Sequence, residues 1–146
     1  MKLVIQRVNK ARVEVGGKML SEIGEGLFVL VGIHIHDTKE LADFLAERLV
    51  KLRVMPDKDD KMNLAVGDVN ASVLVVPQFT LYADTKGANR PNFSNAASAE
   101  IAQPIYEHFV EKIKGNNGIN VQTGQFGEHM DIHVELDGPV TIIVES

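Results

Sequence analysis

The chain has 146 residues, 45% of them hydrophobic and 24% charged, which is the size and composition of one globular domain. It contains no cysteine, so disulfides, thiolate metal sites and a cysteine nucleophile are excluded. The net charge of −5 and the 5% aromatic content argue against blanket nucleic-acid binding, but they leave room for a local basic patch. No segment approaches the roughly 20 apolar residues of a membrane span. We therefore expect a cytoplasmic protein in which residues 1–146 form a single domain.

The first 33 residues predict four β segments. Residues 3–8 and 11–15 are rich in β-branched side chains. Gly16-Gly17 offers the positive φ angles of a tight hairpin, and residues 18–23 form its returning strand. The run 27–33 is almost wholly apolar, which is typical of a strand buried on both faces.

A helix is predicted next, ending before Pro56. Asp37 or Thr38 can cap it, and Glu40 lies three residues after Asp37, as in a capping box. Residues 57–61 are charged and predict an exposed loop. The apolar residues of the helix recur at helical spacing, and they define its predicted core face: Leu41, Phe44, Leu45, Leu49 and Leu52.

The second half of the chain predicts a strand at 73–76, a long polar loop at 84–95, a helix at 98–114 and three further β segments. Loops of this length are often functional. Pro104 is unfavourable inside a helix, so we expect either a later start or a kink. This order of elements predicts an α+β fold. The remaining predicted features are the core face Ile101, Ile105, Phe109 and Ile113 and the β segments 119–123, 130–136 and 140–144.

Two short segments are candidates for the chemistry. Residues 77–82 place polar groups at the end of a hydrophobic strand, and residues 137–141 place a Gly-Pro at the start of the last strand. The residues alone do not decide their role. Gln78 and Thr80 are also ordinary strand-end residues, and Gly138-Pro139 also fits a plain turn.

Several segments in matching order, however, resemble the D-aminoacyl-tRNA deacylase family. Residues 78–82 resemble its first signature and 138–141 its second, which contains a Gly-cisPro pair. The resemblance implies a homodimer with a mainly antiparallel or mixed sheet, barrel-like in the dimer and covered by two helices. It implies hydrolysis of D-aminoacyl-tRNA, and of glycine mischarged on tRNA-Ala, with no cofactor and no metal. The other similar segments are 4–8, 22–27, 61–64, 87–94 and 124–127.

The resemblance also implies roles for individual residues. Gly138 and Pro139 of one subunit reach into the partner's active site, where their carbonyls admit a D side chain and exclude an L side chain. Main-chain N–H groups around Gln78 and Phe79 form the oxyanion site. Thr80 is the one hydroxyl placed to act as a nucleophile. Since no histidine is fixed near it in sequence, we expect Thr80 to position the substrate, while the 2′-hydroxyl of the terminal adenosine assists ester cleavage.

Basic residues beside the first signature are candidates for binding the tRNA. Lys86 and Arg90 lie in the long loop, where they can contact acceptor-end phosphates, although solvated loop charges are an equal alternative. We expect no DNA partner. A second basic cluster is less well placed in sequence and comprises Lys51, Arg53, Lys58 and Lys61.

Two departures from the family pattern keep other functions open. Pro77 stands where the family usually has serine, and Leu136 where it has asparagine. A paralogue that removes misattached L-alanine also has proline before this glutamine, but it lacks the Phe79 retained here. The alternatives are therefore a paralogue-like deacylase for small L-amino acids, a non-catalytic RNA-binding dimer, and a metal-dependent hydrolase. The candidate metal ligands are His34 with His36, and His129 with Asp131 and His133. We expect these side chains to be ordinary surface residues instead.

Overall fold

The computed structural model describes residues 1–87, 89–116 and 118–146. Six strands form one mixed sheet, two short strands form a separate hairpin, and two helices pack on the sheet. The predicted α+β class is confirmed. In chain order the elements are β1 (Lys2–Val15), β2 (Lys18–Ile23), β3 (Gly26–Gly32), α1 (Lys39–Val50), β4 (Met55–Pro56), β5 (Met62–Leu64), β6 (Ser72–Pro77), a 3-10 helix (Phe79–Tyr82), α2 (Ala99–Lys114), β7 (Asn120–Thr123) and β8 (Asp131–Glu145).

Strand β1 is the central strand of the fold. It was predicted as two segments, but Asn9 and Lys10 do not interrupt it. Along one edge it pairs antiparallel first with β3 and then with β2, and along the other edge it pairs with β8 over nearly its whole length. The turn from β1 to β2 is the predicted one, because Gly16 and Gly17 have φ angles of 57° and 73°.

Strands β3, β6 and β7 form the parallel part of the sheet, which explains the apolar runs at 27–33 and 73–76. In β6, Val73 and Val75 pack into the core under the helices, while Leu74 and Val76 pack into a second core on the opposite face. A strand buried on both faces loses the polar alternation of a surface strand. The prediction of buried strands is therefore confirmed.

The sheet curls so that β2 and β7, the strands at the two ends of the pairing order, approach each other. The order of pairing is β2-β1-β3-β6-β7, and the hydroxyl of Ser21 on β2 donates a 2.9 Å hydrogen bond to the carbonyl of Thr123 on β7. Ser21 is the one buried polar residue in the part of the chain that the structure describes. Among the described residues no main-chain ladder joins β2 to β7, so this side-chain bond connects the two strands across a curled, barrel-like sheet.

Helix α1 has the predicted cap but a different core face. The side chain of Thr38 accepts from the N–H of Leu41, whereas Asp37 accepts from the N–H of His34 and does not form the predicted capping box. Phe44 is 55% exposed, so its assignment to the core was wrong. Two alanines on the buried face let the helix approach the sheet closely. The buried face comprises Ala42, Leu45, Ala46, Leu49 and Val50.

Helix α2 runs through Pro104 and begins at Ala99, so the alternative of a later start was wrong. Pro104 is exposed, and water can therefore solvate the Glu100 carbonyl that loses its intrahelical donor. Ile101 is 48% exposed and was wrongly assigned to the core, because Ala102 and Tyr106 take that face.

Two further differences concern β structure. Residues 57–61, predicted as an exposed loop, form the turn of the β4–β5 hairpin, whose two short strands were not predicted. The segments 130–136 and 140–144 were predicted as separate strands, but they belong to the single strand β8. Among the described residues, no helix is long and apolar enough to span a membrane.

Replacing Ser21 tests the closure between β2 and β7. Ser21→Ala leaves the Thr123 carbonyl without its donor, and we expect it to lower the free energy of unfolding by about 1–2 kcal/mol. The matched control is Ser98→Ala, since Ser98 is exposed and its side chain makes no cap hydrogen bond. Urea unfolding of both variants measures the difference. Equal stability of the two variants would contradict a structural role for the Ser21 bond.

Candidate active site

A cavity of about 450 Å³ lies at the carboxyl edge of the three parallel strands. Strands β3, β6 and β7 all end at this edge, and open α/β sheets bind ligands there because the connecting segments diverge. Its volume is ordinary for a small-molecule site. The lining comes from the end of β3 (Val31 and Ile33), the segment after β6 (Pro77, Gln78 and Phe79), the start of α2, residues 126–130 after β7, and Ile132.

Gln78 leaves the sheet with its main chain still hydrogen-bonded. Its N–H donates a 2.8 Å bond to the carbonyl of Val31 on β3, so the parallel ladder continues beyond Pro77. Successive N–H groups of a strand point to opposite sides. The missing N–H of Pro77 therefore faces the side of β7, whose pairing has already ended at Val75 and Thr123. Proline at this position thus leaves the ladder intact.

The main-chain N–H groups that follow Gln78 are differently placed. Within the described residues, no hydrogen-bond acceptor engages the N–H of Phe79 or of Thr80, while the carbonyl of Gln78 accepts from Leu81 to begin the 3-10 helix. The side-chain amide of Gln78 donates to the hydroxyl of Thr80. Two adjacent N–H groups therefore remain available to an oxygen atom of a ligand. Within the described residues, the Thr80 hydroxyl forms no hydrogen bond with a basic side chain.

Gly32, the last residue of β3, allows the 3-10 helix to lie close to the sheet. A Cβ atom at this position would lie 2.9 Å from Cβ of Leu81, 3.2 Å from the Gln78 carbonyl oxygen and 3.3 Å from Cδ2 of Tyr82. Any larger residue would therefore displace the helix that carries Phe79 to the cavity.

The long loop is closed at its base and packs against the same helix. Asp84 and Asn92 exchange main-chain hydrogen bonds of 2.7 and 2.9 Å, and the ring of Phe93 meets that of Phe79 edge-on at 5.1 Å. Lys86 and Arg90 lie between these anchor points and are exposed. The predicted loop thus lies beside the first signature; its residue Ala88 lies outside the described residues.

The second signature forms a four-residue excursion from β8. Pairing with β1 passes from Gln6–Thr141 directly to Val8–Leu136, so residues 137–140 stand opposite Arg7 alone. The Gly138-Pro139 bond is cis. Gly138 has a φ of 124°, and a Cβ atom there would lie 2.6 Å from the nitrogen of Val140. Glycine is therefore required for this backbone path.

Arg7 joins this excursion to the rest of the fold. Its Nε lies 2.7 Å from Oδ2 of Asp137, and its Nη1 donates a 3.0 Å hydrogen bond to the carbonyl of Val54. The guanidinium is largely buried while Asp137 is about one-third exposed. Arg7 therefore connects the Gly-Pro segment to the start of the β4–β5 hairpin, a role that sequence reasoning missed because the two segments are distant in the chain.

The structure brings only some of the predicted site residues together in one chain. Gln78 and Phe79 line the cavity, whereas Thr80 is exposed beside it. Gly138 and Pro139 are exposed and do not line the cavity of their own chain. A single subunit thus carries both signatures but does not combine them.

Residues 126–130 are a part of the site that the sequence did not identify. The similar segment 124–127 was recognised, but it was given no role. A Cβ on Gly124 would lie 2.8 Å from Sδ of Met130, and that sulfur accepts the N–H of Gln125 at 3.4 Å. Gly124 therefore lets this segment turn back under the cavity, where Phe126 packs against Tyr106 with ring centres 6.0 Å apart.

The histidines do not form a metal centre in residues 1–87, 89–116 and 118–146, where no three His, Asp or Glu side chains are grouped as ligands. His129 lies at the mouth of the cavity and 3.7 Å from Asp131, but both side chains are exposed. His133 is instead 3.9 Å from Glu14. His108 pairs with Asp43 at 2.9 Å and connects the two helices.

Comparisons with known proteins identify the family of the chain. The family described as D-Tyr-tRNA(Tyr) deacylase matches residues 4–145. The D-aminoacyl-tRNA deacylase of Bacillus licheniformis is 51% identical over 146 residues, covering 100% of this chain and 99% of the relative. The chain belongs to this deacylase family. The expectation of a hydrolase that acts on the aminoacyl-tRNA ester bond is therefore confirmed.

Two solved structures extend the comparison. A protein named c-Myc DNA Unwinding Element Binding Protein has a TM-score of 0.94 at 38% identity, covering 100% of this chain and 99% of its own. A structure described as a probable eukaryotic D-amino acid tRNA deacylase has a TM-score of 0.85 at 16% identity, with 98% and 97% covered. At that identity the second likeness concerns the fold alone.

Replacing Gly32 tests whether the seating of the 3-10 helix controls the site. We expect Gly32→Ala to destabilise the protein by about 1–3 kcal/mol and to slow ester hydrolysis, because the added methyl group displaces Leu81 and Gln78. Gly24→Ala is the matched control, since no atom of the residues that the structure describes lies within 4 Å of its added Cβ. Thermal unfolding and single-turnover hydrolysis measure the two effects. Wild-type rates for Gly32→Ala would refute the proposed seating.

Proposed function

We propose that this deacylase hydrolyses the ester bond of D-aminoacyl-tRNA, and of glycyl-tRNA mischarged on tRNA-Ala, in the cytoplasm as a homodimer of a single-domain chain. The proposal rests on one observation. The N–H groups of Phe79 and Thr80, which have no hydrogen-bond acceptor among the described residues, lie beside an apolar cavity at the end of β6. The terminal adenosine would occupy the cavity. The ester carbonyl would then face the N–H groups.

The proposed chemistry relies on placement more than on a reactive side chain. Hydrolysis develops negative charge on the carbonyl oxygen, and one well-placed donor lowers the barrier by about 3 kcal/mol. The N–H of Gln78 is engaged with Val31, so we assign the donors to Phe79 and Thr80. The Gln78 amide holds the Thr80 hydroxyl, which supports a positioning role for that side chain. The substrate's 2′-hydroxyl would assist the leaving oxygen.

Selection of the D-amino acid would come from the partner subunit. The Gly138-Pro139 segment is exposed, projects from an edge strand and lies outside its own cavity. Leu136 and Ile143 on the same strand are 46% and 63% exposed, and exposed apolar side chains favour burial in an interface. We propose that a second copy covers this strand, and that each Gly-Pro enters the other copy's cavity and excludes L side chains.

Lys86 and Arg90 are proposed contacts for the acceptor-end phosphates. Both are exposed on the loop that packs against Phe79. Phosphate contacts fix the position of a nucleic acid without reading its sequence, so binding should weaken as salt increases. The net charge of −5 disfavours an extended DNA footprint, and we do not extend to this chain the DNA binding in its relative's name.

A substrate panel tests the activity. We expect hydrolysis of D-tyrosyl-tRNA and glycyl-tRNA, with L-tyrosyl-tRNA and L-alanyl-tRNA hydrolysed at least about a hundredfold more slowly because an L side chain meets fixed main chain. Release of labelled amino acid measures each rate. Preferential cleavage of L-alanyl-tRNA would instead support the paralogue-like alternative that Pro77 leaves open. Binding of tRNA without any cleavage would support the non-catalytic dimer, and loss of activity with chelator would support a metal-dependent hydrolase.

A subunit-mixing experiment tests whether the two signatures act across the dimer. Gln78→Ala disables the cavity, and Gly138→Ala disables the projecting segment because its Cβ would lie 2.6 Å from the Val140 nitrogen. In mixed dimers, the intact Gln78 of one subunit meets the intact Gly138 of the other. We expect each variant alone to be inactive or unselective, and the mixture to regain about a quarter of the wild-type D-specific activity.

The mixing ratio provides the control. Activity should be greatest at equal amounts of the two variants and should require the subunits to exchange, which differently tagged chains can verify. If both signatures acted within one chain, no mixture would recover D-specific activity. A fully selective monomer would also refute the proposal.

A further inference from the structure

The 3-10 helix Phe79–Tyr82 separates two concave surfaces. Phe79 lines the cavity described above, whereas Tyr82, three residues later and so about 6 Å along the helix axis, lines a second hollow of about 350 Å³. Lys2, His34 and His36 are also in its wall. The chemistry proposed above does not use this second hollow.

The ring of His34 contacts two other rings in the hollow. The ring of His34 lies 5.1 Å from that of Tyr82 and 5.2 Å from that of His36, tilted by 60° and 56°. His36 is exposed, and the other two are half-buried. The Phe79–Phe93 pair lies at the other end of the same 3-10 helix, beside the cavity. The faces of the rings offer stacking partners for flat groups.

The charged groups around the rings are paired with one another. Nζ of Lys2 lies 5.4 Å from the centre of the Tyr82 ring, and the carboxylate of Glu145 is paired with Lys2 at 2.8 Å. Both oxygens of Asp37 are also engaged, one by the N–H of His34. Burial, followed by the charges of Asp37 and Glu145, raises the pKa of the Tyr82 hydroxyl above its usual value, so this group stays neutral at physiological pH.

We propose that the nucleotides just before the terminal adenosine of tRNA cross the 3-10 helix and stack on the rings of His34, His36 and Tyr82. The inference rests on the proposed function, because a strand whose last nucleoside occupies the cavity must leave it over a neighbouring surface. Stacking on aromatic faces tolerates any base, so this contact would not depend on the sequence of the strand. Gly32 holds the helix close to the sheet, so the surface is preformed.

The test compares a complete and a truncated substrate. His36→Ala removes the most exposed ring, and a His34→Ala, His36→Ala double variant removes two. We expect the KM for D-tyrosyl-tRNA to rise about tenfold in the double variant, with kcat unchanged, since stacking contributes to binding the strand. The KM for D-tyrosyl ester of adenosine, which lacks the preceding nucleotides, should stay within about twofold of wild type. His108→Ala, on α2 and remote in sequence, is the matched histidine control.

Every outcome bears on the inference. An unchanged KM for tRNA, or equal changes for both substrates, would overturn it. Loss of the dimer in the His36 variant, measured by analytical ultracentrifugation, would overturn it as well, because the surface would then be part of a subunit interface. If the wild type cleaves neither substrate, the proposed function fails. In that case the affinity for uncharged tRNA, measured by fluorescence anisotropy, still tests the surface through the same comparison of variants.

Discussion

The position of the site depends on the hydrogen bond from the N–H of Gln78 to the carbonyl of Val31. This bond extends the parallel pairing of β3 and β6 one residue beyond the strand, so the chain leaves the sheet in a fixed direction. The carbonyl of Gln78 then accepts from Leu81 and begins the 3-10 helix, for which Gly32 provides the space. One strand end therefore determines where the unengaged N–H groups, the cavity wall and the aromatic surface lie.

The two cores give this strand end its rigidity. Strand β6 is buried on both faces, and its neighbours β3 and β7 hold it on both edges, so its end cannot move without disturbing the whole sheet. The Gly-Pro segment, by contrast, is not enclosed by neighbouring strands in this way. It belongs to β8, which within the described residues pairs on one edge only, and Arg7 restrains it through Asp137. This contrast supports our proposal that one subunit supplies a rigid cavity and the other a projecting element.

Local patterns predicted the buried strands and the hairpin, because burial on both faces and the positive φ angles of Gly16-Gly17 leave direct marks in the residues. The same patterns did not predict which residues of the two helices are buried. Ala42 and Ala102 are buried while Phe44 and Ile101 are exposed, because packing depends on the fit between helix and sheet and less on hydrophobicity. The cavity could be predicted only in part. Phe126 and Met130 reach it by the pairing of β7 with β6, which periodicity does not reveal.

A site built from main-chain groups also explains how the sequence can vary around it. Pro77 departs from the family pattern, yet the ladder is intact because the missing N–H faces the side where β7 has ended. A solved structure only 16% identical retains the fold with a TM-score of 0.85, which means that the backbone path is largely preserved while most side chains differ. If the N–H groups of Phe79 and Thr80 act on the ester as proposed, backbone geometry is the property that selection must retain. Substitutions that preserve the path of β6 and the 3-10 helix would then preserve catalysis, whereas a single methyl group at Gly32 would impair it.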